Sequence, residues 1–102
     1  MTDVSTKATS IARIATPKAR GYMIQLCKHF SHKVEATYTD TTGRIAFGER
    51  VCELDSSQPD VLAITLHAEN DAGLHAIEDV VARHLVRFAF KEDLAIQWVG
   101  HA

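Results

Sequence analysis

The fold is decided by residues 34–67, VEATYTDTTGRIAFGERVCELDSSQPDVLAITLH, in which apolar and polar residues alternate in four short runs. Alternation with a period of two is typical of β-strands that have one buried and one exposed face. Turn-forming residues separate the runs at positions 40–43, 48–49 and 56–60. In the second turn, Gly48 is expected to take the positive φ that a tight hairpin requires. The stretch therefore predicts four consecutive strands.

The two faces of the predicted sheet follow from the parity of residues along each strand. The inward positions are mostly apolar: Ala36, Tyr38, Ile45, Phe47, Cys52, Leu54, Leu62, Ile64 and Leu66. The outward positions are mostly polar: Glu35, Thr37, Arg44, Thr65 and His67, joined by Gln97 from a later strand. A face this polar cannot form a second core layer, so we expect it to be bare or to serve as a binding surface.

A helix is predicted on each side of this stretch. The first follows Thr16 as a cap, has Pro17 at its first position and runs to about His32. The second begins with Asn70 or Asp71 as its cap. Apolar and histidine side chains recur at helical spacing on the inner stripes: Tyr22, Leu26, His29 and Phe30 in the first helix, and Leu74, Ile77, Val81, His84, Leu85 and Phe88 in the second.

Two further strands, residues 9–15 and 94–99, complete the order β-α-β-β-β-β-α-β. We therefore predict an α+β fold, a mostly antiparallel sheet with two helices packed on one face. A single domain is predicted over residues 9–102, after a flexible N-terminal segment at residues 1–8. The chain has 102 residues, of which 46% are hydrophobic, so it can bury a core without disulfides or a structural metal.

Several protein classes are disfavoured by the sequence. No apolar run approaches the roughly 20 residues that a membrane helix needs, and the N-terminus lacks the apolar segment of a secretory signal. Cys27 and Cys52 lie in different elements and are expected to be free thiols, as in a reducing cytosol. We therefore expect a cytoplasmic protein that has no membrane partner.

The charge is distributed unevenly along the chain. Residues 1–34 hold six basic residues and one acidic residue, a net of +5, while residues 35–102 hold five basic and twelve acidic residues, a net of −7. Such asymmetry is consistent with an anion-binding face, with complementary surfaces in a homodimer, or with a solvated surface that has no partner. The overall pI of about 6.3, and the absence of aromatic residues among the basic ones, argue against nucleic-acid binding.

Three parts of the sequence carry a family resemblance. They are YMIQLCKHFSHK at residues 22–33, the middle fragments Gly43-Arg-Ile, Phe47-Gly48 and Cys52-Glu53-Leu54, and EDVVARHLVRFAF at residues 78–90. Over residues 9–98 the chain resembles the bacterial family catalogued as domain of unknown function 2218. The resemblance implies a context in which similar domains are joined to siderophore-interacting flavoproteins, and hence a supporting role in bacterial iron acquisition.

The residues with the most chemical potential are Cys27, His29, His32, Cys52 and His84, because thiolates and imidazoles are preferred ligands of zinc and other transition metals. The spacing argues against a metal site. Cys27 and His29 are two positions apart on a helix and point in widely different directions. The sequence contains no CxxC or HExxH motif, no pair of acids suited to acid–base catalysis and no phosphate-binding glycine loop. We therefore expect neither a metal nor a cofactor.

His29 and His84 are the best candidate pair, because each falls on the inner stripe of its helix. They could form a hydrogen-bonded core contact, titrate together or bind a ligand, and Tyr22 and Cys27 are the nearest candidate partners on the first helix. The leading hypothesis is a non-enzymatic binding or accessory module that uses these residues. The alternative is a small metal- or thiol-dependent enzyme that uses Cys27, His29 and His84.

Overall fold

A computed structural model describes residues 7–101, and in this range it contains six strands and two helices. The elements are β1 (Ala8–Ala15), α1 (Ala19–Phe30), β2 (Glu35–Tyr38), β3 (Thr42–Phe47), β4 (Arg50–Asp55), β5 (Val61–Ala68), α2 (Asp71–Phe88) and β6 (Val99–His101). The strands form one antiparallel open sheet in the order β2-β3-β4-β5-β1-β6. The predicted α+β class and order of elements are confirmed. Most of the predicted flexible segment at residues 1–8 lies outside the described residues, and Ala8 belongs to β1.

Both helices pack on the same face of the sheet, and the core lies between the two layers. One row of cross-strand partners on this inner face runs Ala36, Ile45, Cys52, Leu66 and Ser10. Met23, Leu26, Val81 and Leu85 are among the helix residues that close over the sheet, each no more than 1% exposed. Parity along the strands therefore assigned the inner face correctly.

Gly43 marks the place where β3 runs closest to α1. A Cβ atom at this position would lie 2.8 Å from Cys27 Sγ and 3.4 Å from both Leu54 and Met23. The glycine thus allows the helix to pack directly on the strand. Gly48, in contrast, has open space around it and a φ of 67°, as expected for the hairpin between β3 and β4.

The start of α1 differs from the prediction. The helix begins at Ala19 after Lys18, and Thr16 does not cap it. The Thr16 hydroxyl instead accepts a hydrogen bond from Lys18 N at 3.1 Å and donates one to Glu92. The helix also ends at Phe30 rather than near His32. Residues 16–18 therefore form a tight turn between β1 and the helix.

The start of α2 agrees with one of the two predicted caps. The Asn70 side chain accepts a hydrogen bond from Gly73 N at 2.8 Å, and Asp71 lies in the first turn, where a negative charge is stabilised by the helix dipole. Neither described helix is long and apolar enough to span a membrane.

A last strand follows α2 as predicted, but the predicted bounds of residues 94–99 are wrong. The paired segment is Val99–His101, which forms an edge ladder with Thr9 to Ile11 of β1. The preceding residues have no ladder partner. Their alternation arises because Leu94, Ile96 and Trp98 pack against the core while the chain crosses from the helix layer to the sheet edge. Gln97 is accordingly not part of the outer sheet face.

Candidate functional site

The two helices meet through a cluster of aromatic and imidazole rings. The His29 ring lies with its centroid 5.1 Å from that of His84 and 5.5 Å from that of Phe88. Phe30 of α1 packs on the other side of His84, at 4.8 Å, and also contacts Phe47 of β3 at 5.0 Å. The structure therefore brings His29 and His84 together at the surface end of the helix contact.

His84 is half-buried and has a polar partner within its own helix. Its Nδ1–H donates to the backbone carbonyl of Val80 at 2.7 Å. A carbonyl oxygen can only accept, so the proton of the neutral ring is on Nδ1 and Nε2 carries the lone pair. The partner of His84 is therefore a backbone carbonyl and not Tyr22, Cys27 or His29, the partners that the sequence suggested.

His29 is exposed, which corrects the expectation that it lies on a core-facing stripe. Loss of hydration where its ring contacts α2 lowers the pKa of His29, and the neighbouring groups His84, Lys33, His32 and Arg87 lower it further. All four of these neighbours are cationic or become so on protonation. We refer to His29, His32, Lys33, His84 and Arg87 as the histidine patch.

Tyr22 lies two turns earlier on α1 and belongs to a different cluster. Its buried hydroxyl donates to Glu92 Oε2, and the buried Thr16 hydroxyl lies 2.9 Å from Oε1 of the same carboxylate and 3.1 Å from Oε2. The hydrogen bond to the carboxylate raises the pKa of Tyr22 to about 12, and the pKa of Glu92 is lowered by the hydrogen bond from Tyr22. Thr16, Tyr22 and Glu92 are called the Glu92 clasp below.

Sequence reasoning missed Glu92. The residue stands in the polar run Lys91-Glu92-Asp93 beyond the end of α2, where a solvated loop is the ordinary expectation. Thr16 and Tyr22 could have indicated it, because their hydroxyls lie on stretches with apolar neighbours and need a hydrogen-bond acceptor when buried.

The two cysteines are free and buried, at 1% exposure for Cys27 and 0% for Cys52. Burial raises the pKa of the Cys27 thiol, and burial together with the nearby Cys27 and Glu53 raises that of Cys52. Both side chains therefore pack as thiols in the core, and Cys27 does not join His29 in a common site. Among the described residues, no group of three or more His, Cys, Asp or Glu side chains could hold a metal ion.

A hollow of about 570 Å³ lies beside the histidine patch, because Phe88, which lines the hollow, contacts His29 of the patch. Aromatic and basic residues dominate the lining: Lys18, Gly21, Tyr22, Gln25, Phe88, Phe90 and Lys91. Phe90 is 77% exposed. The Lys91 ammonium lies 5.8 Å from its ring centroid. The helix layer thus presents aromatic rings next to cations.

Comparison with known proteins gives one family and one solved structure. Residues 11–99 match the model of a family described as "Uncharacterized protein conserved in bacteria (DUF2218)". The NMR structure of PA4090 from Pseudomonas aeruginosa is 38% identical, covers 92% of this chain and 95% of that chain, and superposes with a TM-score of 0.72. No curated protein matches this sequence.

Proposed function

The chain belongs to the bacterial family of uncharacterized proteins DUF2218, and we propose that it is a non-enzymatic module that binds a small anionic ligand at the histidine patch. The family resemblance found in the sequence is thereby confirmed. Membership of this family does not identify an activity, so the proposal depends on the side chains of the helix layer.

The observation that carries the proposal is the charge around His29. The titratable groups that lower the pKa of its ring are His84, Lys33, His32 and Arg87, which are cationic or become so on protonation, and no carboxylate is among them. An exposed site with cations on several sides attracts anions and gains affinity from each close charge. A bound anion would also relieve the mutual repulsion of these groups.

The aromatic rings beside the patch favour a ligand that is partly aromatic. Phe88 links the imidazole of His29 to the hollow that Tyr22 and Phe90 line. The carboxylate bonded to Tyr22, Glu92, already accepts hydrogen bonds from two hydroxyls. A flat ring could pack on Phe88 and Phe90 while its anionic group meets the histidine patch.

The enzymatic alternative receives no support from this arrangement. A thiol-dependent reaction needs an accessible thiolate, whereas the pKa of Cys27 is raised and its side chain is 1% exposed. His29 and His84 contact each other, but Cys27 lies in the core against β3. The three residues named for the enzyme therefore do not converge on one reacting centre.

The proposal extends to bacterial iron acquisition, the context that the family resemblance implies. Catecholate siderophores combine aromatic rings with negative charge, which is the chemistry that the patch and the hollow favour. In this reading the module acts in the cytoplasm beside a siderophore-interacting flavoprotein.

The test is a titration with 2,3-dihydroxybenzoate, an aromatic anion, followed by two-dimensional NMR and calorimetry. We expect saturable shifts at His29, His84 and Phe88, and weaker shifts with catechol, which has the same ring without the carboxylate. The variant Arg87→Glu should lower affinity at least about tenfold, about 1.4 kcal/mol. The matched control is Lys28→Glu, a charge reversal at an exposed position of α1 outside the patch.

Absence of shifts at the patch would overturn the proposal, and so would equal losses of affinity in the Arg87 and Lys28 variants. The ferric complex of the same compound tests the iron context separately. If it binds no better than the iron-free compound, the anion site stands and the link to iron acquisition fails.

A further inference from the structure

We propose that the outer face of the sheet is a homodimer interface. Its two-fold axis is parallel to β5 and lies between the outer faces of the two copies, directly over β5. This face lies on the opposite side of the domain from the histidine patch, so the inference is independent of the proposed ligand site. It assigns a partner, a second copy of this chain, to a surface that the helices leave uncovered.

The outer face is a shallow, mixed surface rather than a solvated charged one. A groove of about 560 Å³ runs along it, lined by residues of β1 to β5 that include Ile11, Arg13, Arg44, Asp55 and Ala63. Ile11, Ala63 and Thr65 are half-buried already in the single chain. Small and apolar side chains therefore occupy the middle of the face, with charges on both sides of them.

The strand register places opposite charges symmetrically about β5. Asp55 of β4 and Arg13 of β1 are both direct cross-strand partners of Ala63, one on each side. The three residues point to the same outer face because directly paired residues share a face. Asp55 and Arg13 are thus about equidistant from β5, at about 4.8 Å per strand spacing.

A two-fold axis along β5 makes this arrangement self-complementary. Rotation about an axis parallel to the strands keeps each residue at its level and exchanges the positions of β4 and β1. Asp55 of one copy then lies opposite Arg13 of the second copy, and Arg13 opposite Asp55, while Ala63 faces its own equivalent. Face-to-face sheets pack about 10 Å apart, a gap that an extended Arg and an Asp side chain together can bridge.

The ion pairs within one chain leave Arg13 and Asp55 available for this pairing. The orientation of the Asp55 carboxylate is fixed by a hydrogen bond, since Ser57 N donates to its Oδ1 at 2.7 Å. Neither Arg13 nor Arg44 forms an ion pair with another described residue. Glu53 is already paired with His67 Nε2 at 3.0 Å in the same chain, so it needs no partner across the axis.

The available area is sufficient for an association. With the axis at β5, the five strands that overlap between the copies are β3, β4, β5, β1 and β6, and at about 4.8 Å apart and about six residues long they cover roughly 500 Å². Two such faces bury roughly 1,000 Å² together, the lower limit for a specific interface. We therefore expect a reversible dimer whose affinity depends on the two ion pairs.

The test is a charge exchange measured by analytical ultracentrifugation. The wild type should dimerise, and Arg13→Asp and Asp55→Arg should each weaken the dimer at least about tenfold, about 1.4 kcal/mol. The double variant restores both pairs with reversed polarity, so its dimer affinity should return close to that of the wild type. Lys28→Asp, on the helix side, is the control that should change nothing. Circular dichroism checks that each variant is folded.

A wild type that stays monomeric at every concentration overturns the proposal. If single reversals have no effect, or the exchange fails to restore association, the axis along β5 is wrong. A second measurement avoids charge changes. Ala63→Cys should give covalent dimers with a short bismaleimide, because the two Ala63 positions face each other across the axis. Ala76→Cys, on the exposed face of α2, should not. The native Cys27 and Cys52 are buried and should not react. Equal crosslinking of the two variants would contradict the interface.

Discussion

The Glu92 clasp and the histidine patch lie about two turns apart on α1, and they use polar side chains in opposite ways. In the clasp, two buried hydroxyls donate to a carboxylate that tethers the chain after α2. In the patch, the titratable groups that act on the exposed His29 are all cationic or become so. The donors and acceptors of the clasp are therefore paired with one another, whereas the positive charge of the patch favours a bound anion.

This difference separates a structural role from a binding role. A closed hydrogen-bond network contributes to stability and offers nothing to a ligand, because its donors and acceptors are already paired. A patch of like charges costs a little stability and gains it back when an anion binds. The clasp should therefore respond to mutation in stability measurements, and the patch in binding and titration measurements.

The largest expected effect is that of removing the Tyr22 hydroxyl. Tyr22→Phe deletes a hydrogen bond to a charged acceptor and should lower the free energy of unfolding by about 1–2 kcal/mol. Thr16→Val in the same chain should add to the loss. Denaturant unfolding measures both, and Tyr38→Phe is the matched control, since Tyr38 is 42% exposed.

The same variant should lose its effect in acid. The pKa of Glu92 is lowered in the folded chain, so its contribution to stability is present above the unfolded value of about 4.5 and is lost as the pH falls through the folded pKa. The stability difference between wild type and Tyr22→Phe should shrink over that range. A difference that stays constant down to the acid limit would mean that the ionised carboxylate is not the acceptor.

The clasp also shows which part of the molecule the sequence could predict. Strand alternation over residues 34–67 and the helix stripes predicted the sheet and its inner face, because those patterns follow from burial. Thr16 and Tyr22 indicated that a buried acceptor is needed, but they lie 76 and 70 positions before Glu92, and no local pattern shows that this residue is the acceptor. The edge strand failed for a related reason: Leu94, Ile96 and Trp98 alternate through packing, not pairing.

The candidate site was predicted in part. Helical periodicity brought His84 towards α1, where its ring contacts His29 and Phe30. It also assigned His29 to the core, because periodicity identifies a face but not how far the facing helix covers it. Cys27 was predicted to join the site because it is close to Lys28 and His29 in the sequence. On the helix, however, its side chain points towards β3.

A smaller effect is expected from His84→Leu. The imidazole hydrogen bonds to the Val80 carbonyl, which in an α-helix also accepts from the backbone N–H of residue 84. Removing the ring therefore leaves no orphaned acceptor, and leucine refills the contact with Phe30 and His29. The free energy of unfolding should change by less than about 0.5 kcal/mol.

His84→Ala is the comparison that gives this result meaning. It removes the same hydrogen bond and also leaves a space beside Phe30, so it should be clearly less stable than His84→Leu. If both variants are equally destabilised, the hydrogen bond matters more than the packing, and His84 belongs with the clasp rather than with the patch.

The smallest and most specific effect concerns the pKa of His29, read by NMR titration of its ring protons. The free protein should titrate at His29 below the ordinary value of 6.5, and Arg87→Gln should raise that pKa because it removes one of the facing cations. Arg83→Gln is the matched control one turn away, since the Arg83 guanidinium is held by Asp79 at 2.9 Å.

The same shift in the pKa of His29 should be visible in the stability of the fold. Because the folded pKa lies below the unfolded one, the free energy of unfolding should fall as the pH decreases from the unfolded pKa to the folded pKa, and less steeply in Arg87→Gln. A pKa of His29 at or above 6.5, or equal shifts in the two arginine variants, would remove the electrostatic distinction between the patch and the clasp.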